Sequence, residues 1–279
     1  NDERFMAQHN VCSINSINWA RIMAQSSYYF WAYLAVAPKA EAEVHFVVPT
    51  GAFGNAMGGY LAKMMGLPIG KILCATNAND VVHRTITAGD LSMGSNVETL
   101  SPAMDIQFAY NVERMLYFAS GRDTHKVSSL MHELESARTC SLTEPLLRAV
   151  QSTFSSARVT DQQTIDTMAA FYEAHGFCLD PHSAVGVHGA TSASPPLPAT
   201  GTVVCVLTAH PAKFEAAVRR AGLPPPALAS VEALRTLPQR FTWLRAPPTT
   251  TTPEYKRMVW AQEVRMAVER ANRHSPLAT

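Results

Sequence analysis

The sequence predicts an α/β fold, a mainly parallel sheet with helices on both faces. Three observations carry this. Short apolar runs at 44–48, 72–75 and 202–207 have the length of strands, and the first two are apolar at nearly every position, as in strands covered on both faces. Segments of helical periodicity alternate with these runs, the order found in βαβ units. The stretch from Val44 to Asn79 reads strand, glycine loop, helix, strand within one such unit. With 279 residues, 47% of them hydrophobic, the chain can bury a sizeable core in one large or two smaller domains. The expected organisation is a main α/β part over 1–220 and a small peripheral segment over 221–279 that ends in a helix.

In chain order, residues 2–8 look like the tail of a helix, and the chain begins without methionine, so it reads as a fragment or a processed product. A first full helix is expected over 13–33, with Ser13 as N-cap and Ile14, Ile17, Ala24, Tyr28 and Trp31 as its buried stripe. Val44–Val48 is a strand, and Pro49 ends it because proline cannot donate to a ladder. Residues 50–55 form a loop and 56–65 a helix, stopped by Gly66 and Pro68. Short helices are expected at 112–119, 128–135 and 141–154. Thr160 and Gln163 form a capping box that opens a helix ending at Gly176. Pro181 suits the first turn of the next helix. The proline-rich stretch 192–201 is a loop, and 202–207 a strand that leads into a further helix. Beyond Arg220, Leu234, Leu237, Phe241 and Trp243 lie between proline-rich stretches. A last helix follows Thr252-Pro253, with Met258, Ala261, Val264, Val268 and Ala271 on its apolar face.

Composition narrows the function classes. Lys+Arg is 23 and Asp+Glu is 22, a formal charge of +1, so no basic excess points to nucleic acid. The longest apolar runs fall short of a membrane span, and the polar opening Asn1-Asp2-Glu3-Arg4 lacks the apolar core of a signal peptide. Five widely spaced cysteines without a Cys-x-x-Cys pair read as reduced thiols, neither a disulfide framework nor a zinc site. The expected location is cytoplasmic.

The chemistry-bearing residues are few. There is no Gly-x-Ser-x-Gly, no metal-spaced cluster and no carboxylate pair set for acid–base work. His182 and His210 each adjoin a proline at a helix entrance, where a lone histidine is ordinarily a hydrogen-bonded turn residue. The loop 50–55 joins a strand end to a helix N-terminus, where unpaired N–H groups favour a phosphate, and Gly51 and Gly54 let the backbone come close to it. By itself this signal fits a plain turn equally well, since it matches neither the dinucleotide nor the Walker pattern. Arg21, near the start of the first full helix, offers a fork suited to an anion.

Five blocks taken together resemble the threonine synthase family. They are Ser13-Ile14-Asn15-Ser16-Ile17-Asn18-Trp19-Ala20-Arg21, Val48-Pro49-Thr50-Gly51-Ala52-Phe53-Gly54-Asn55, Ala75-Thr76-Asn77-Ala78-Asn79-Asp80, Asp180-Pro181-His182-Ser183-Ala184-Val185 and Thr208-Ala209-His210-Pro211-Ala212-Lys213-Phe214. Their order and spacing fit across roughly residues 8–220. The runs 83–85, 103–107 and 111–114 look closest to the threonine-synthase-like phospholyases of animals.

The resemblance implies the three-layer α/β fold of fold type II (tryptophan synthase β-like) enzymes, incomplete at the N-terminus, and pyridoxal 5'-phosphate as cofactor. It implies that Gly51, Ala52, Phe53, Gly54 and Asn55 cradle the cofactor phosphate, that the Thr208 hydroxyl faces the pyridine nitrogen, and that Asn15, Ser16 and Arg21 lie at the substrate end. Two departures stand out. Ala52 replaces the asparagine usual in the family's loop. The family's Schiff-base lysine lies in a Ser-Phe-Lys-Asp type block upstream of Ser13, and no such block occurs here. The implied activity is a lyase acting on a small O-phosphorylated amino acid with release of phosphate: O-phosphohomoserine to threonine, or O-phosphothreonine or O-phosphohomoserine to 2-oxobutyrate. Without the lysine the isolated chain is expected to be inactive. The alternative is a truncated, non-catalytic product that acts as a binding or signalling protein.

Overall fold

The computed structural model describes residues 2–13, 15–39, 42–193, 196–238, 241 and 252–273. They fall into two compact units, one of residues 14–232 and one of residues 1–13 with 233–279. In chain order the helices are α1 (Glu3–His9), α2 (Trp19–Val36), α3 (Gly54–Met64), α4 (Val81–Ala88), α5 (Val112–Ala119), α6 (Thr124–Ala137), α7 (Glu144–Thr153), α8 (Asp161–His175), α9 (Pro181–Ser192), α10 (Glu215–Arg220), α11 (Ala229–Thr236) and α12 (Pro253–Arg273). The strands are β1 (Val44–Pro49), β2 (Ile69–Thr76), β3 (Phe154–Arg158) and β4 (Thr202–Cys205).

In the larger unit the strands form one sheet in the order β3-β2-β1-β4, every neighbouring pair parallel. Successive side chains of a strand point to opposite faces. Phe46, Val48, Ile72 and Cys74 therefore share one core with Ile22, Tyr29 and Tyr33 of α2 and Ala56 and Met57 of α3. Val47, Leu73, Ala75 and Ala157 face the other way and pack with Val185 of α9. This is the three-layer α/β arrangement. The α9 layer lies close because Gly189 has no side chain: a Cβ there would stand 2.8 Å from the Ala75 Cβ.

The structure departs from the sequence reading at several elements. The N-cap of α2 is Asn18, whose Oδ1 accepts from the Ala20 amide at 2.9 Å, so the helix starts later than Ser13 suggests. Its buried positions are Ile22, Ser26, Tyr29 and Tyr33, while Trp31 is 75% exposed and Ile17 is exposed too. The helix is apolar nearly all round, so periodicity alone could not select the face. The segment 141–154, read as one helix, is α7 followed directly by β3. Phe-Ser-Ser-Ala-Arg has little β-branched content, yet Phe154–Ala157 are buried.

In the smaller unit Asp2 caps α1 through the Phe5 amide, and the Arg265 guanidinium of α12 pairs with the Asp2 carboxylate at 2.6 Å. On α12, Met258 and Val264 of the expected apolar face are exposed, and Val259, Glu263 and Met266 are half-buried instead. Trp243 and Ile14 lie outside the described residues.

Candidate functional site

Parallel strands bring the loops that follow them to one edge of the sheet. The ladder continues into those loops: the Thr50 amide donates to the Ala75 carbonyl, Val159 to Thr76 and Val206 to Val47, at 2.8, 2.9 and 2.9 Å. The loop 50–53, the Asn77–Asp80 turn and the segment 206–210 with Thr208 therefore share the C-terminal edge.

The loop 50–53 is held in shape by Phe53. This residue is the N-cap of α3 in the left-handed conformation, φ 66° and ψ 4°, unusual for a side chain of that size. Its ring is buried and lies 5.3 Å from the Phe154 ring. The two glycines serve close approach within the protein. A Cβ on Gly51 would stand 2.8 Å from Met104 Cα and 3.0 Å from the Ala103 carbonyl oxygen. A Cβ on Gly54 would stand 2.9 Å from Ser16 Cβ and 3.3 Å from Asn111 Nδ2. Gly54 keeps a negative φ, and the left-handed residue at this end of the loop is Phe53.

A cavity of about 170 Å³ opens against this loop, lined by Ser16 and residues 49–56. The N–H groups of Gly54, Asn55 and Ala56 open α3 and have no carbonyl one turn back, and Phe53 offers no side-chain cap. Asn111 is fully buried, and its Nδ2 has no hydrogen-bond partner among the described residues, although its Oδ1 accepts from Arg114 and its backbone amide donates to the Ala52 carbonyl at 3.3 Å. Ser16 Oγ lies 3.0 Å from the Tyr110 hydroxyl. Tyr29 donates to Asn55 Oδ1 at 2.5 Å and to its carbonyl at 3.1 Å; burial, then Tyr28 and Cys74, push its pKa well above 10.0, so it stays a donor. Among the described residues no carboxylate and no lysine lines the cavity. Donors without resident acceptors beside a helix N-terminus suit an anion.

Of the three residues expected at the substrate end, only Ser16 lines this cavity. Asn15 Oδ1 caps the Ile17 amide at 2.9 Å, and Arg21 is exposed on the first turn of α2. Lys63 and Lys71 are spent on backbone carbonyls, of Ile69 and Gly70 and of Gln151 and Ser152. Lys213 lies over the Phe214 ring.

At the other end of the edge the Thr208 amide donates to Ser183 Oγ at 3.2 Å, and that hydroxyl donates to Asp180 Oδ2. Asp180 is the buried N-cap of α9, and its Oδ1 also accepts from the His182 amide and from His182 Nδ1, both at 2.9 Å. His182 Nε2 accepts from the Ala103 amide at 3.2 Å. Ala103 belongs to the 3-10 turn Pro102–Met104 that presses on Gly51. Beside it, Asp105 Oδ1 takes the side-chain amides of Asn77 and Asn79 and the Thr99 hydroxyl at 2.8, 2.9 and 2.6 Å, tying the turn after β2 to this segment.

In the sequence Tyr29 and Asn111 carry no signal of their own, and His182 reads as an ordinary turn residue. No local signal marks a donor left without a partner by the fold.

His83, on α4, hydrogen-bonds Ser156 Oγ through Nδ1 at 3.2 Å. Burial lowers its pKa from 6.5; Asp80 opposes this, and Arg158 and Arg84 add to it. The neutral ring is thus favoured in the fold. The associated stability is complete above the unfolded value and is lost as pH falls through it toward the depressed native one. The urea midpoint should therefore drop between about pH 7 and pH 5, and His83→Gln should shrink that drop. An unchanged pH profile in the variant would remove His83 from the account.

Among the described residues no helix is long and apolar enough to cross a membrane, and no His, Cys, Asp and Glu group is placed to hold a metal ion.

A family model described as threonine synthase, C-terminal, matches residues 183–252. Threonine synthase-like 2 of Homo sapiens is 36% identical over 249 residues, covering 88% of this chain and 51% of that protein. Threonine synthase of Pseudomonas aeruginosa is 39% identical over 222 residues, covering 80% and 47%. The crystal structure of a PLP-bound threonine synthase from Brucella melitensis superposes with a TM-score of 0.84 at 39% identity, covering 97% of this chain and 55% of that one. The chain thus spans about half the length of the relatives it matches.

Proposed function

Because this chain belongs to the threonine synthase family, we propose that its loop cavity holds the phosphate of pyridoxal 5'-phosphate in a lyase that releases phosphate from an O-phosphorylated amino acid. The observation that carries this reading is the set of N–H donors at residues 54–56, which open α3 and line the cavity. A dianionic phosphate is the acceptor they lack, and charge-assisted bonds to it are roughly twice as strong as neutral ones.

When bound, the cofactor supplies an electron sink for breaking the bond to the leaving phosphate. The residues of this chain bind and orient. The N–H groups of Gly54, Asn55 and Ala56 grip the phosphate, and the Ser16 hydroxyl adds a donor. Tyr29 fixes the Asn55 side chain through its Oδ1. Thr208 offers a neutral hydroxyl to the ring nitrogen, which leaves that nitrogen largely unprotonated. The covalent lysine anchor is assigned to the part of the family fold beyond this chain. The candidate reactions are O-phosphohomoserine to threonine, and O-phosphothreonine or O-phosphohomoserine to 2-oxobutyrate. Identity to the two kinds of relative, 36% and 39%, does not choose between them. A cytoplasmic location agrees with five free thiols among the described residues.

The test separates the two ends of the cofactor. Gly54→Val should abolish cofactor retention, because the new side chain meets Ser16 and Asn111 at the anion pocket. Thr208→Val should keep the cofactor bound and slow turnover, since it removes one neutral hydrogen bond worth about 0.5–1.5 kcal/mol. Bound-cofactor absorbance and steady-state phosphate release on the complete enzyme decide this. Loss of cofactor in Thr208→Val with retention in Gly54→Val would reverse the assignment. Cofactor binding without phosphate release from any phospho-amino acid would favour a non-catalytic binding role.

A further inference from the structure

We infer that Asp180, His182 and Ser183 are positioning residues that hold the two ends of the cofactor cleft in one register, an inference that rests on the reading of Gly51–Asn55 and Thr208 just given. One buried carboxylate supports both ends. Through Oδ1 it orients the His182 ring; His182 Nε2 then accepts the Ala103 amide, and the Ala103 turn bears on Gly51 backbone to backbone. Through Oδ2 it accepts from Ser183 Oγ, which in turn accepts the Thr208 amide.

The hydrogen bonds fix the chemistry of each group. A backbone N–H can only donate, so His182 Nε2 must carry the lone pair and Nδ1 the proton, which goes to Asp180. The ring is neutral in this arrangement. The buried carboxylate is satisfied by donors alone: two amides of the α9 first turn, the imidazole N–H and the Ser183 hydroxyl. Asp180, His182 and Ser183 are all buried, and no residue of the three lines the loop cavity. They act on the cleft only through Ala103 and Thr208.

Isosteres of the two ring nitrogens provide the test. A glutamine amide reaches where Nε2 stands, and an asparagine amide where Nδ1 stands. His182→Asn keeps the donor to Asp180 and loses the acceptor for Ala103; His182→Gln keeps that acceptor. On the full-length protein, binding of inorganic phosphate and of pyridoxal phosphate would be measured by calorimetry, with hydrogen exchange of the Gly51–Ala56 amides and the absorbance band of bound cofactor as further readouts. His182→Asn is expected to weaken phosphate binding roughly tenfold, about one hydrogen bond's worth, and to speed exchange in the loop while amides of β1 and β2 stay protected. His182→Gln should stay near the wild type. Ser183→Ala, a change of one hydroxyl, should leave phosphate binding intact and shift the cofactor band. Wild-type protein that binds neither probe overturns the site reading and this inference with it. Wild-type binding with both His182→Asn and Ser183→Ala unchanged in every readout overturns the inference alone.

Discussion

Replacing Gly51 by valine is expected to cost about 1–3 kcal/mol of stability and to weaken phosphate binding by roughly a hundredfold. The obstacle is backbone. A Cβ at this position meets Met104 Cα at 2.8 Å and the Ala103 carbonyl at 3.0 Å, and neither can rotate away as a side chain could. Either the loop or the Pro102–Met104 turn must move. The turn is tied to His182 through the Ala103 amide, so the loop is the element expected to yield. Gly51→Ala should act in the same direction, because the clash begins at the first carbon. Urea denaturation and phosphate calorimetry on both variants measure it. Midpoints and affinities equal to wild type would mean that this backbone contact opens at no cost.

Phe53→Ala should destabilise the larger unit by about 3–5 kcal/mol, the range for deleting a fully buried aromatic ring. The ring fills the space against Phe154, and its loss leaves the entrance of α3 without a hydrophobic anchor. The comparison with Phe53→Gly is sharper. In ordinary backbone, glycine is worse than alanine by about 0.5–1 kcal/mol. At φ 66° alanine itself pays about 1–2 kcal/mol that glycine does not. The glycine variant should therefore be at least as stable as the alanine variant. If alanine proved clearly better, the left-handed conformation at Phe53 would not persist in solution.

What the sequence made legible follows from local physics. β1, the glycine loop and α3 stood out because consecutive apolar residues, a proline stop and two glycines act within a short span. The Thr160–Gln163 capping box was readable for the same reason, and the structure contains both of its hydrogen bonds. β3 escaped because Phe-Ser-Ser-Ala-Arg owes its strand conformation to the neighbouring β2 ladder, not to its own composition. The face of α2 escaped because its apolar residues surround the helix. The site was legible as a loop and as a family pattern. Its supporting parts were not: Asn111 matters because its Nδ2 lacks a partner in space, and His182 because both ring nitrogens are engaged far along the chain, at Asp180 and Ala103.

The order of the strands has a kinetic consequence. β1 pairs on one side with β2, where Val44 meets Ile69, and on the other with β4, where Val44 meets Thr202. The first pairing closes a short loop. The second must wait until most of the chain exists, although closing the longer loop adds only about 0.6 kcal/mol for each doubling of its length. On a ribosome adding about 5–20 residues per second, the loop after β1 can form many seconds before β4 and the segment with Thr208 that follows it emerge. During that interval the β4 side of β1 is an open edge, apolar but for His45, a template for unwanted strand pairing. Aggregation during synthesis should therefore track the delay before β4 docks, and synonymous changes that slow translation between residues 76 and 202 should raise it without altering the mature protein.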